Sequence, residues 1–182
     1  MARKETITRT AILEAAFEMM KEEGIEQVTA RRLANRAGCS TQPIFRVYAN
    51  MEELTVNLFE KAVDFFETYY QKFPRQTVTP FVNLGLAYIS FSSEYKNIFR
   101  FLFLSDNRYG KSMYDLVNGR AGAVGNEITA ARNNGCTDPS GLFMKMWIFI
   151  HGAASMSLTG DYDLSKEETM KLLKDSYQAF RS

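Results

Sequence analysis

Apolar residues recur at helical spacing along nearly the whole chain, and no stretch alternates as a half-buried strand would. Between Thr6 and Glu23, Ile12, Leu13, Ala16, Phe17 and Met20 make one stripe with Glu14, Glu18, Lys21 and Glu22 opposite, which predicts a supporting helix. Thr29 is placed as an N-cap, and Leu33, Ala34 and Ala37 then predict a short second helix. Gly38 falls where the chain must leave that helix in a left-handed conformation, and Ser40 offers a further N-cap. Pro43 lands in the first turn of the next helix, where its missing N–H is tolerated. Small Ala34 and Ala37 let these two helices cross closely, with Ile44 and Val47 closing the wedge. Asn50 and Glu53 form a capping-box-like start for a fourth helix through Leu54, Leu58, Phe59, Ala62 and Phe66 to Lys72.

Phe73 and Pro74 end that helix, and Arg75 to Pro80 reads as a linker. Thr79-Pro80 predicts a helix to Phe91, Ser93 caps another through Phe103, and Asp106 to Gly110 is a break. Ser112 to Asn134 reads as one segment closed by Gly135, Asp138-Pro139 opens a helix that stops near Gly160, and Ser165 with Glu168 makes a capping box for a last helix to Phe180. The expectation is an all-α protein of about nine helices. Residues 1-50 form a three-helix helix-turn-helix domain, 51-72 a connecting helix, and 75-182 a C-terminal domain.

The helix from Pro139 to Thr159 is apolar nearly all round. Trp147, His151, Ser155 and Leu158 share one face, and Phe143, Ile150, Ala153 and Ser157 another. Such a helix must be buried on both sides, whereas a domain this small offers core on only one. A two-fold interface of this helix with the last one is therefore expected, containing Trp147, His151, Gly152, Ser155, Leu172 and Tyr177. His151, the single histidine, reads as a hydrogen-bonded packing residue, with a catalyst or ligand sensor as the alternative.

Charge changes the picture only locally. The chain carries 22 Lys and Arg against 21 Asp and Glu, a balance that says nothing about nucleic acid. Between Gln27 and Met51, however, Arg31, Arg32, Arg36 and Arg46 occur with no acid among them, while Glu26 precedes and Glu52 and Glu53 follow. A solvated face mixes signs, and a surface meant for phosphates excludes acid.

The run from Thr10 to Leu58 resembles the DNA-binding domain of the TetR family of bacterial transcriptional regulators. The resemblance rests on Ala16, Phe17, Gly24, Thr29, Leu33, Ala34, Ala37, Gly38, Ser40, Ile44, Phe45, Tyr48, Glu52 and Leu54. WIFIHG around Trp147 and His151 is similar to the Trp-x-x-x-His-Gly signature of one class of C-terminal domain in that family. The resemblance implies a homodimer whose N-terminal domains bind double-stranded operator DNA and whose C-terminal domain binds a small molecule that releases it. It also implies that Thr41, Gln42, Pro43, Phe45 and Arg46 meet DNA, where Gln42 suits adenine and Arg46 guanine. Thr29, Arg31 and Arg32 are then placed for the phosphate backbone, and Tyr48 is part apolar wedge and part phosphate donor. The sequence departs from the usual pattern at Gln42, Pro43, Phe45 and Met51. Phe45 and Met51 each remove a phosphate contact, which keeps open a helical interaction protein with lost or weak DNA binding.

Cys39, Cys136 and His151 make neither a disulfide framework nor a metal cluster, so no metal or cofactor is expected. There is no Gly-rich phosphate loop and no nucleophile and base set, which speaks against an enzyme. The polar, basic N-terminus is no signal peptide, and Leu142 to Leu158 is broken by Lys145 and His151, so a cytoplasmic protein without a membrane span is expected. The chain has 14 Phe, 9 Tyr and 1 Trp, of which only Phe17, Phe45 and Tyr48 precede residue 51. That skew makes Tyr69, Tyr88, Phe91, Tyr95, Phe99, Phe103, Met113, Tyr114, Met146 and Phe149 candidates to line a pocket for an apolar or aromatic effector, with core packing as their alternative role.

Overall fold

A computed structural model of the chain describes residues 8–181, in which ten α-helices and no strand occur. The order is α1 (Arg9–Glu23), α2 (Ala30–Arg36), α3 (Gln42–Val47), α4 (Met51–Lys72), α5 (Val82–Glu94), α6 (Lys96–Phe99), α7 (Met113–Asn118), α8 (Ala123–Asn133), α9 (Pro139–Thr159) and α10 (Lys166–Arg181). A π-helical turn, Arg100–Leu104, continues α6. The all-α class expected from periodicity is found. The residues fall into two compact units, one holding the chain to Phe65 with Asn97–Gly110, the other Phe66–Lys96 with Lys111 onward.

In the first unit Thr8 caps α1 by accepting from the Ala11 amide at 3.1 Å; the Thr6 start predicted from sequence lies outside the described residues. Ile12, Ala16, Phe17 and Met20 of α1 are buried, as are Leu33 and Ala34 of α2, Ile44 of α3 and Leu54 and Leu58 of α4. The acceptor for α2 is the Thr29 hydroxyl, as expected. Helix α3 departs from expectation. It begins at Gln42 after a Thr41 that makes no side-chain cap, so Ser40 is not its N-cap. Asn50 accepts from the Glu53 amide at 2.8 Å while Glu53 reaches back to the Ala49 amide at 2.7 Å, which closes the expected box one residue further upstream. Within this unit the Asn97 side chain donates to the Lys21 carbonyl at 3.1 Å, and the Phe59 ring packs on Phe101 and Tyr109.

The second unit is organised around α5, which is buried without interruption from Val82 to Ile89 and packs on α9 and α10. Gly85 is the meeting point. A Cβ there would lie 3.0 Å from both Ile150 Cδ1 and Leu173 Cδ1, so a side chain would force the three helices apart. The helix starts later than Thr79-Pro80 predicted because Phe81 is left-handed (φ 64°) and fully buried, with its N–H held by the Glu127 carboxylate at 2.7 Å. It also runs past Phe91 to Glu94, so Ser93 lies inside it and caps nothing. Ser112 to Asn134 is two helices instead of one, since Gly119 and Gly122 take positive φ (56° and 66°) and turn the chain between α7 and α8. Asp138 caps α9 and the Ser165–Glu168 box caps α10, both as predicted.

Candidate nucleic-acid interface

Helices α2 and α3 are short because Gly38, left-handed at φ 64°, ends one and Thr41 immediately precedes the other. Ile44 is fully buried against the first unit, which fixes the rotation of α3 about its axis. Thr41, Gln42, Phe45 and Arg46 are consequently exposed together, and Pro43 is half-buried in the first turn. Phe45 keeps 48% of its surface, an exposure that costs free energy in water unless something covers it. Thr29 and Arg31 are exposed beside this edge in sequence, at the start of α2. Polar side chains able to reach base edges and an aromatic ring thus share one side of the unit, and no acidic side chain stands in α2 or α3.

Two arginines behave differently from expectation. Arg32 donates to Glu23 and to Gln27, and Arg36 donates to Glu22 at 2.7 Å and to Glu23 at 3.4 Å. These guanidiniums are tied to the acidic end of α1, so the acid-free window from Gln27 to Met51 is not free of acid in space. Arg9 clamps the other end: it donates to the Val47 carbonyl and to Glu53, both at 2.7 Å, and lies over the Tyr48 ring. Tyr48 itself is 1% exposed, and its hydroxyl donates to the Arg9 carbonyl at 3.4 Å. Its expected role as a phosphate donor is corrected accordingly; it is a core residue whose phenol is pushed up by burial. Sequence reasoning confined to one window could not see Glu22 and Glu23 fold back onto it.

A family model described as bacterial regulatory proteins, tetR family, matches residues 12–58. Residues 12–58 are a tetR-family domain. They contain α2 and α3, and with them the chain is a DNA-binding transcription regulator. A solved structure assigned to the TetR-family transcriptional regulators, from Rhodococcus sp., is similar over 96% of this chain and 98% of its own, with 19% identity and a TM-score of 0.64. At that identity the likeness speaks for the fold, and it extends beyond the tetR-family domain to the C-terminal helices. A comparison with curated proteins returns no match.

Outside the tetR-family domain the other candidate residues separate. Phe99 and Phe103, 5.1 Å apart, belong to the first unit. Tyr69, Tyr88, Phe91, Tyr95, Met113, Tyr114, Met146 and Phe149 belong to the second, where Tyr88, Phe91 and Met146 are fully buried core, Tyr69 packs on Phe91 and Tyr95, and Tyr114 is exposed. Trp147 and His151 are half-buried against Tyr88, whose hydroxyl lies 3.0 Å from His151 Nδ1. Gly152 is exposed, and Ser155 and Leu172 are half-buried. Tyr177, expected at an interface, is core instead: it is 2% exposed and packs on Phe81. The apolar side chains that α9 leaves exposed are Met144, Ile148 and Met156, which with Gly152 recur every fourth residue. That stripe is readable from its spacing at every fourth position. Among the described residues no three His, Cys, Asp or Glu side chains gather as metal ligands would, and no helix is long and apolar enough to cross a membrane.

Proposed function

We propose that the protein is a cytoplasmic repressor that binds a palindromic operator as a homodimer and leaves it when a small molecule with an apolar or aromatic body binds the C-terminal half. The observation that carries this reading is the exposed edge of α3, where Thr41, Gln42, Phe45 and Arg46 face away from buried Ile44. Gln42 is suited to an adenine edge and Arg46 to guanine N7 and O6; Thr29 and Arg31 would hold phosphates. The homodimer is supported by the stripe of Met144, Ile148, Gly152 and Met156 on α9, with Ile148 at 66% exposure, since a second copy is the simplest cover for a self-complementary apolar strip.

One observation favours a second reading, a helical interaction protein that binds DNA weakly: Arg32 and Arg36 are already paired with Glu22 and Glu23. Selection of duplexes from a randomised pool tests the two against each other. The repressor reading expects enrichment of an inverted repeat with half-sites about one helical turn apart. No enrichment, together with no retention of DNA at low salt, would favour the weak binder.

A further inference from the structure

The ring of Phe45 is the apolar exception on a polar face. Helix α3 turns Ile44 fully into the core, and the next residue round is left with 48% of its surface exposed. Its neighbours on the helix surface are Thr41 and Gln42, one turn back, and Arg46 beside it, all exposed and polar. Among the described residues of the first unit, the other large apolar side chain so exposed is Leu104, which stands on the π-helical turn and not on α3. Phe45 is therefore a single ring in polar surroundings, whereas a protein interface is built on a contiguous apolar centre. The surface that complements it is polar with one small apolar spot.

A phosphate is a poor match for that ring. It carries neither donor nor acceptor, and the Phe45 backbone N–H already donates to the Thr41 carbonyl at 3.3 Å. The major-groove edge of an A·T pair is a good match: beside adenine N7 and N6 and thymine O4 it shows one apolar group, the thymine 5-methyl. Gln42 and Phe45 are three residues apart on one helix face, a spacing of about 5–6 Å between Cβ atoms, while successive bases are about 3.4 Å apart along a strand. A Gln42 amide seated on an adenine thus leaves the ring within reach of a thymine methyl in the same pair or the next.

We propose that Phe45 covers the 5-methyl group of one thymine in each half-site, and that at this position the chain also takes 5-methylcytosine in preference to cytosine. The proposal rests on the reading of α3 as the helix that meets base edges, and adds to it a residue that selects for a methyl group. Removing one methyl-sized group from water is worth about fourfold in affinity, which sets the size of the expected effect.

Anisotropy titration of the full chain tests it, on the inverted repeat enriched from the randomised pool and on copies in which each thymine in turn, in both half-sites, is replaced by deoxyuridine. One symmetric position is expected to lose about fourfold per half-site, with the other positions unchanged. Phe45→Ala, at an exposed position that leaves the core intact, is expected to bind the thymine and deoxyuridine duplexes alike at that position. With a C·G pair placed there, methylation of the cytosine at carbon 5 should strengthen binding of the wild type by a similar factor and leave Phe45→Ala unmoved. Deoxyuridine tolerated at every position would overturn the methyl contact, as would a preference for the methyl group that persists in Phe45→Ala. Either result leaves α3 standing as the base-reading helix, provided the repeat is enriched; a chain that enriches no sequence overturns that reading and this proposal together.

Discussion

The Arg9 guanidinium lies 4.1 Å over the centre of the Tyr48 ring. From there it also holds the last carbonyl of α3, Val47, and Glu53 in the first turn of α4, so the first residue of α1 pins both ends of the segment that follows α3. At a site this accessible to solvent the cation over the ring is a weak contact. Arg9→Ala is expected to lower the midpoint of thermal unfolding by a few degrees and to weaken binding to every duplex by the same factor. Anisotropy titrations on specific and random DNA check this; a loss confined to one sequence would place Arg9 at a base and not in a clamp.

Glu23 accepts from both Arg32 and Arg36, which leaves those guanidiniums less available to phosphate than their positions in the sequence suggest. Glu23→Gln should release positive charge at the face. The expected result is tighter binding to random duplex and a steeper fall of log affinity with log salt, by up to about one unit of slope for each phosphate newly contacted. An unchanged slope would show that the arginines already meet DNA in the wild type.

Ile148 stands in the middle of the exposed stripe on α9 and keeps 66% of its surface. Ile148→Glu is expected to leave the fold intact and to convert a dimer into a protomer in analytical ultracentrifugation, with loss of affinity for an inverted repeat and retention of weak binding to a half-site. A wild-type chain that sediments as a single protomer would remove the two-fold interface from the account.

Glu127 holds the N–H of left-handed Phe81 from a site only 4% exposed. Burial, the largest effect, raises its carboxyl above the ordinary range, against the opposing pull of the Phe81 N–H and of Arg75. A carboxyl that keeps its proton longer when folded than when unfolded makes stability fall as pH rises from about 4.5 towards the raised value. Glu127→Gln keeps an acceptor for Phe81 and cannot ionise. Denaturant melts across that window should show the decline in the wild type and a flatter profile in the variant.

The helices were legible where local chemistry decides them. Thr29, Asp138 and the Ser165–Glu168 pair mark real helix starts because a cap needs only neighbours in sequence. Phe81 could not be foreseen, since a left-handed aromatic residue is held there by Glu127, 46 positions away. Gly119 and Gly122 were present in the sequence, but a helical pattern ran across them and hid the turn. The exposed edge of α3 was legible in its residue types, while the pairing of Arg32 and Arg36 and the burial of Tyr48 depend on α1 folding back, which spacing within one window cannot express.

The most direct measurement is the sequence preference of Gln42→Ala and Arg46→Ala against the wild type on a panel of single-base variants of the selected operator. If the edge of α3 reads bases, each substitution relaxes discrimination at one position per half-site by about 1–3 kcal/mol and leaves affinity for random DNA nearly unchanged. Undiminished selectivity in both variants would contradict the account.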